Sequence, residues 1–226
     1  VVALVCGLMI WELTRMLAPE APGLAIQLGG VAGLAVLLAV YLPLVFAAPL
    51  LIAPAVVGAT QVQRYRVLFG GFTVLVLAAS FGMVHVRDDL GFTWLVWLVV
   101  IVVVTDVAGY FAGRMLGGPK FWPRVSPKKT WSGTAAGWVG AGIVGGLFAI
   151  NSGVWVAVFL ASIFLSFASQ MGDIAESAIK RKMGVKDSSA LIPGHGGVLD
   201  RFDGMLGASV GFLVIEFAFG FPWVIS

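Results

Sequence analysis

The sequence predicts an all-α, polytopic integral membrane helical bundle, and three observations carry that expectation. Hydrophobic residues make up 60% of the 226 positions and charged residues only 11%, against roughly 25% charged in a typical soluble domain. Mean hydropathy is +1.02. The polar residues gather in two loops, about 112–132 and 172–204, and the rest of the chain divides into apolar runs of bilayer-crossing length. A soluble protein is excluded, and a single transmembrane domain over 1–226 is expected.

Eight runs account for the chain in order, at about 1–17, 25–41, 43–57, 67–84, 92–111, 133–150, 154–171 and 205–222. The first starts inside a hydrophobic segment without an initiator Met or basic leader, so an N-terminally truncated fragment is expected, with nine spans in the full protein. It also holds the only cysteine, Cys6, read as a packing residue. The third carries Pro43, Pro49 and Pro54, and proline removes a backbone donor, so a kinked or partly spanning segment is expected there. The sixth is rich in small residues, Gly137, Gly140, Ala141, Gly142, Gly145 and Gly146, which let helices approach closely.

Basic residues orient the bundle. Arg15, Arg64 and Arg66, five in 112–132 and five in 172–204 fall on one side, and only Arg87, in HVRDDLG, falls on the other. Positive residues are retained in the cytoplasm during insertion, so both polar loops are expected there, at a bacterial-type inner membrane. The bilayer is one partner; a homodimer is allowed, and no nucleic acid is expected.

The first loop holds Arg114, Lys120, Arg124, Lys128 and Lys129 and no carboxylate, a composition suited to a polyphosphate or an anionic headgroup. Within it Ser126, Pro127, Lys128, Lys129, Thr130 and Trp131 join hydroxyls, paired lysines and an aromatic at the mouth of a span. Asp106 precedes the loop; a carboxylate there costs on the order of 2.5–3.5 kcal/mol to insert, so it should face a cavity, a cation or that loop. Pairing with Arg114 is the structural alternative.

The second loop is the densest in chemistry. If the seventh helix continues, Asp173, Glu176, Ser177 and Lys180 stand at i, i+3, i+4 and i+7 and share one face. In PGHGG, glycines let backbone approach a ligand closely and offer N–H groups to phosphate. His195 between them is a phosphate donor, a proton shuttle or a structural residue. Asp200 and Asp203, at i and i+3, would repel beside Asp173 unless a cation sat among them, and such oxygen-rich sets favour Mg2+ completed by substrate phosphates. Arg201 salt-bridges or binds phosphate. Acid, base and glycine in this order suggest metal-assisted phosphoryl or nucleotidyl transfer at a membrane surface.

The stretch SAIKRKMGVKDSSALIPGHGGVLDRFD, Ser177–Asp203, resembles the signature of the phosphatidate cytidylyltransferases, or CDP-diacylglycerol synthases. The likeness runs through Ser177, Lys180, Arg181, Lys186, Asp187, Pro193, His195, Gly196, Gly197, Asp200, Arg201 and Asp203. It extends to Gly172, Asp173 and Glu176, the SPKKTW run, the Asp106–Arg114 segment, and Trp11 with Glu12. Two departures stand out: KTWSG where relatives commonly have KTWEG, so Ser132 receives no catalytic role, and Gly109 before Tyr110 where they have alanine.

The resemblance implies transfer of CMP from CTP to phosphatidic acid, giving CDP-diacylglycerol and pyrophosphate. It implies Asp173, Lys180, Asp200 and Asp203 at the centre, with Mg2+ on the three aspartates and a second, monovalent cation such as K+. Catalysis falls to Asp173, Lys180 and Asp203. CTP or lipid phosphate binding falls to Ser126, Lys128, Lys129, Thr130, Arg181, Lys186, His195, Gly196, Gly197 and Arg201, with Asp106, Glu176, Ser177 and Asp187 as additional candidates. A CTP-dependent polyprenol kinase is the nearest alternative and a membrane transporter the alternative of a different class. A CDP-alcohol phosphatidyltransferase fits poorly, since DGMLGAS lacks that group's arginine and later aspartates.

Overall fold

The computed structural model describes residues 1–220. Eight α-helices follow one another: α1 (Val2–Leu17), α2 (Pro22–Ala39), α3 (Leu44–Gln61), α4 (Arg66–His85), α5 (Phe92–Met115), α6 (Trp131–Phe148), α7 (Trp155–Met183) and α8 (Leu199–Phe219). Each coincides with one expected run, and the chain is a multi-pass membrane protein. Among the described residues α2, α3, the segment Gln63–Leu90 that contains α4, α5, α7 and α8 are long and apolar enough to cross a membrane. The 16-residue α1 and the glycine-rich α6 fall short of that standard. Positions 221 and 222 of the last expected run lie outside the described residues.

Four boundaries differ from expectation. α3 continues unbroken to Gln61 with Pro49 and Pro54 inside it. α7 runs on to Met183 because its inward face stays buried through Ile174, Glu176, Ile179 and Lys180, so the i, i+3, i+4, i+7 spacing is helical. α8 starts at Leu199, which puts Asp200 in its first turn. The first polar loop is not irregular: Lys120–Trp122 (β1) and Ser126–Thr130 (β2) form an antiparallel hairpin with Lys120 opposite Thr130.

The chain forms two compact units. The first comprises Val1–His85 and Ile179–Phe202. Here α1 packs on α2 and α4, and α3 on α2 and α4, around fully buried Ile10, Leu13, Phe69 and Leu77. α1 and α2 meet backbone to backbone, and a Cβ at Gly29 would stand 2.6 Å from the Gly7 carbonyl oxygen.

The second unit comprises Val86–Ala178 and the chain from Asp203 onward. α5 packs on α6, and Trp97 anchors the core with its ring 5.4 Å from Trp94 and 6.4 Å from Phe212. Glycines again set the helix contacts. A Cβ at Gly133 of α6 would lie 2.5 Å from the Gly109 carbonyl oxygen of α5, and one at Gly207 of α8 would fall on the Ala168 carbonyl oxygen of α7.

Backbone cannot yield as a flexible side chain does. Gly207→Ala should therefore lower stability by about 1–3 kcal/mol, the usual cost of overpacking, in thermal unfolding of the detergent-solubilised protein. Gly71→Ala, where an added Cβ meets nothing within 4 Å, should leave it unchanged. Equal behaviour of the two would refute the close-approach role.

Candidate active site

In the second unit the hairpin and three helices surround a cavity of about 440 Å3 with charged side chains set in a largely apolar wall, within the range of small-molecule sites. Four cations line it: Arg114 from α5, Lys120 from β1, and Lys128 and Lys129 from β2. The hairpin exists because the chain closes on itself at its base. The Trp131 N–H donates to the Pro119 carbonyl (3.0 Å), and the Phe121 and Trp131 rings pack at a 60° tilt with centroids 4.6 Å apart. Thr130 ends the strand and caps α6, its hydroxyl accepting from the Gly133 N–H at 3.2 Å, a contact that satisfies one orphan donor of the helix start. Ser132 donates to the Gly117 carbonyl.

Lys129 reaches from this hairpin to Asp173 on α7, with Nζ 2.5 Å from the carboxylate, and the Ser177 hydroxyl donates to the other oxygen at 3.2 Å. Asp106 lines the cavity and lies within Coulomb range of both Lys129 and Asp173. Arg114 donates to the Tyr110 hydroxyl at 3.0 Å, so the Asp106–Arg114 pair considered from sequence is replaced by a cavity-facing Asp106. Gln170 closes the inner wall: it accepts from the Trp138 indole N–H at 3.0 Å and donates to the Thr134 carbonyl at 3.2 Å. The arrangement is a cationic bowl with two carboxylates at its edge, the polarity that holds a polyphosphate.

The first unit gathers the rest of the signature. Ile192 and Gly196 pair across a tight turn, with Gly194 and Gly196 at φ of 74° and 81°, conformations that glycine adopts without steric penalty. Folded this way, the turn aims its donors inward. Asp200 Oδ2 accepts from the Ser188 N–H (2.8 Å), the Ser188 hydroxyl (2.8 Å) and the Gly197 N–H (2.7 Å), and Oδ1 takes the Lys180 ammonium at 2.5 Å. Both members of that ion pair are buried, with side chains 11% and 4% exposed.

A carboxylate outside the expected site completes the turn. Glu12 of α1 is fully buried and accepts from the Ser189 hydroxyl (2.6 Å), the Ser188 hydroxyl (3.2 Å), the Val198 N–H (2.8 Å) and the Leu199 N–H (2.7 Å). Val198 and Leu199 open α8, so an acid from another helix satisfies N–H groups that the helix itself leaves orphaned. The signal available in the sequence was a lone acid in a 16-residue apolar helix.

The expected site residues therefore divide. Ser126, Lys128, Lys129, Thr130, Asp106, Asp173, Glu176, Ser177 and Asp203 belong to the second unit; Lys180, Arg181, Lys186, Asp187, His195, Gly196, Gly197, Asp200 and Arg201 belong to the first. Glu176 is fully buried. Arg181, Lys186, Asp187, His195 and Arg201 are exposed; Arg181 donates to the Val185 carbonyl at 3.3 Å, and His195 Nδ1 lies 3.2 Å from the Pro193 carbonyl. Arg114, Lys120, Gln170, Ser188, Ser189 and Glu12 were not among the expected site residues.

Of the expected trio, Asp173 and Asp203 lie in the second unit and Asp200 in the first, and among the described residues no three acidic, histidine or cysteine side chains form a metal-binding group. Asp200 instead serves four protein donors, because the turn before α8 points its amides at it. A magnesium ion nevertheless fits the donor chemistry of the second unit. It uses one or two carboxylates and draws its remaining ligands from phosphates and water; Asp106 lines the cavity and Asp173 pairs with Lys129, one of its lining cations.

Sequence comparison agrees with this chemistry. A profile of the Cytidylyltransferase family matches residues 1–219. The chain is 44% identical over 162 residues to the phosphatidate cytidylyltransferase of Brucella abortus (strain 2308), covering 70% of this chain and 58% of that protein. It is 41% identical over 134 residues to the protein of that name from Helicobacter pylori (strain ATCC 700392 / 26695), covering 58% and 50%, and 42% identical over 122 residues to that from Bacillus subtilis (strain 168), covering 53% and 45%. The matched segment thus spans about half the length of these relatives.

Breaking a buried ion pair from one side typically costs about 3–5 kcal/mol. Asp200→Asn should lower unfolding stability by about 3 kcal/mol in chemical or thermal denaturation. A loss under about 0.5 kcal/mol would mean that the Lys180 and turn contacts do not hold the fold.

Proposed function

The chain belongs to the Cytidylyltransferase family, and from that premise we propose that it transfers CMP from CTP to phosphatidic acid, yielding CDP-diacylglycerol and pyrophosphate. The cationic cavity edged by the Lys129–Asp173 pair carries the reading. Four cationic side chains converge there against one lining carboxylate, Asp106, a balance that favours an anionic ligand. A triphosphate and a lipid phosphate both qualify, because ammonium and guanidinium groups donate charge-assisted hydrogen bonds to phosphate oxygens. The one-sided distribution of basic residues supports a cytoplasmic active site at a bacterial inner membrane, where CTP in water and phosphatidic acid in the leaflet can meet.

In the transfer, an oxygen of the lipid phosphate attacks the α-phosphorus of CTP. The new P–O bond forms as the bond to the β-phosphate oxygen breaks, and pyrophosphate leaves with that electron pair. Lys128, Lys129, Lys120 and Arg114 orient the phosphates and stabilise the charge that moves onto the leaving group, the largest single contribution in many phosphoryl transfers. Asp173 holds Lys129 at the cavity edge and keeps its ammonium from collapsing onto solvent. Lys180, fixed by Asp200 in the first unit, is a further catalytic group of the same reading. Asp106 and Asp173 would hold magnesium, which when bound neutralises triphosphate charge and polarises the α-phosphate. A second, monovalent cation belongs to the same proposal.

Supplied with labelled CTP, Mg2+ and phosphatidic acid in mixed micelles, the purified chain should form a lipid-linked nucleotide and one pyrophosphate per turnover. A folded protein that forms neither would refute the transferase reading, and solute movement in proteoliposomes without nucleotide consumption would replace it with transport. Lys129→Met should lower kcat/KM by about 100-fold or more, the cost of losing one preorganised donor, with little change in unfolding temperature. If stability and turnover fall together, Lys129 is structural.

A further inference from the structure

We propose that Glu12 is a positioning residue for the transfer reaction: through the 188–199 turn, Ser188 and Asp200, it sets where the Lys180 ammonium stands. The inference rests on the transferase reading above and adds to it a helix that brings no group to the cationic cavity.

The connection is continuous within the first unit. Glu12 grips the turn at four points, two backbone N–H groups and two hydroxyls, all of them donors. A carboxylate is acceptor-only when ionised, with capacity for about four such contacts across its two oxygens; three donors serve Glu12 alone and the fourth, the Ser188 hydroxyl, is shared. Ser188 then stands between two acids, its hydroxyl 3.2 Å from Glu12 and 2.8 Å from Asp200. One hydroxyl carries one proton and serves one acceptor at a time, so removing the charge on Glu12 changes how Ser188 meets Asp200. Asp200 in turn holds Lys180 at 2.5 Å. Glu12, Ser188, Asp200 and Lys180 form a single chain of contacts within the first unit, from α1 to the ammonium that the transferase reading counts among its catalytic groups.

Gly197 shows how closely the parts fit. A Cβ there would fall on both the Ser188 hydroxyl and the Glu12 carboxylate, so the glycine is what admits the acid. An ordinary helix clamp would need only the Val198 and Leu199 contacts. The Ser188 contact goes further, because the same residue holds Asp200 through its N–H and its hydroxyl.

The test uses Glu12→Gln, which keeps the shape and removes the charge, together with Ser188→Ala, which leaves Glu12 its other three donors. Hydrogen exchange at the Val198 and Leu199 amides should accelerate in Glu12→Gln. The value of kcat should fall roughly 10- to 100-fold in Glu12→Gln, the range for a lost charged hydrogen bond, while KM for CTP stays within about threefold. The double variant should be no slower than Glu12→Gln alone, because residues on one path are not additive. Unchanged kcat despite faster exchange, a loss confined to KM, or multiplying losses would overturn the inference. If Glu12→Gln does not fold, Ser188→Ala decides alone, with a kcat loss at intact KM and stability for the proposal and wild-type kcat against it. A wild-type chain without turnover would sink the transferase reading itself, whereas an active wild type with an equally active Glu12→Gln would sink only the positioning role.

Discussion

A carboxylate carried on an apolar helix is stable only where the fold supplies donors for its oxygens, and three such acids organise this chain. Glu12 is met by a turn of backbone and hydroxyls, Asp200 by the same turn and an ammonium, and Asp173 by a lysine from the hairpin. Each acid comes from a helix, and much of its complement comes from a loop. The loops are therefore ordered by the charges they neutralise, and their cations and glycines acquire fixed positions as a result. This inverts the usual picture of a rigid scaffold decorated by binding loops.

Glycine performs the complementary task. Where α1 meets α2, α5 meets α6 and α7 meets α8, the missing side chain lets backbones touch, as expected in an environment where burial from lipid gives no hydrophobic gain and close packing carries the association. At Gly197 the same absence makes room for a carboxylate instead of a helix. One residue type thus serves both the packing and the electrostatic problem.

Much of this was legible in the residues. Eight apolar runs became eight helices, and the dense polar stretch after Ser177 became the turn that seats Lys180 and Asp200. The hairpin was hidden because SPKKT and KFW are too short and too charged to display strand alternation, and it is held by the Pro119–Trp131 contact at its base. The start of α8 was placed too late because DRFD is polar; donors before it engage acids at positions 12 and 200, one of them far away in sequence. Asp200 was grouped with the other acids by charge alone. Its actual partners are backbone amides, which a sequence does not display as ligands. Glu12 was noticed only as part of a family likeness, since no local pattern says which distant segment an acid will bind.

The separation between Glu12 and its donors, 176 to 187 positions, bears on biogenesis. At ribosomal speeds of about 5–20 residues per second, α1 enters the membrane at least several seconds before Ser188 exists. Throughout that interval the acid has no final partner, and the nascent chain must shelter it in the insertion machinery, at the lipid–water boundary or against provisional neighbours. Closure of the first unit accordingly waits until residues 188–199 have been made. A chain released before residue 199 lacks the backbone donors that meet the Glu12 carboxylate.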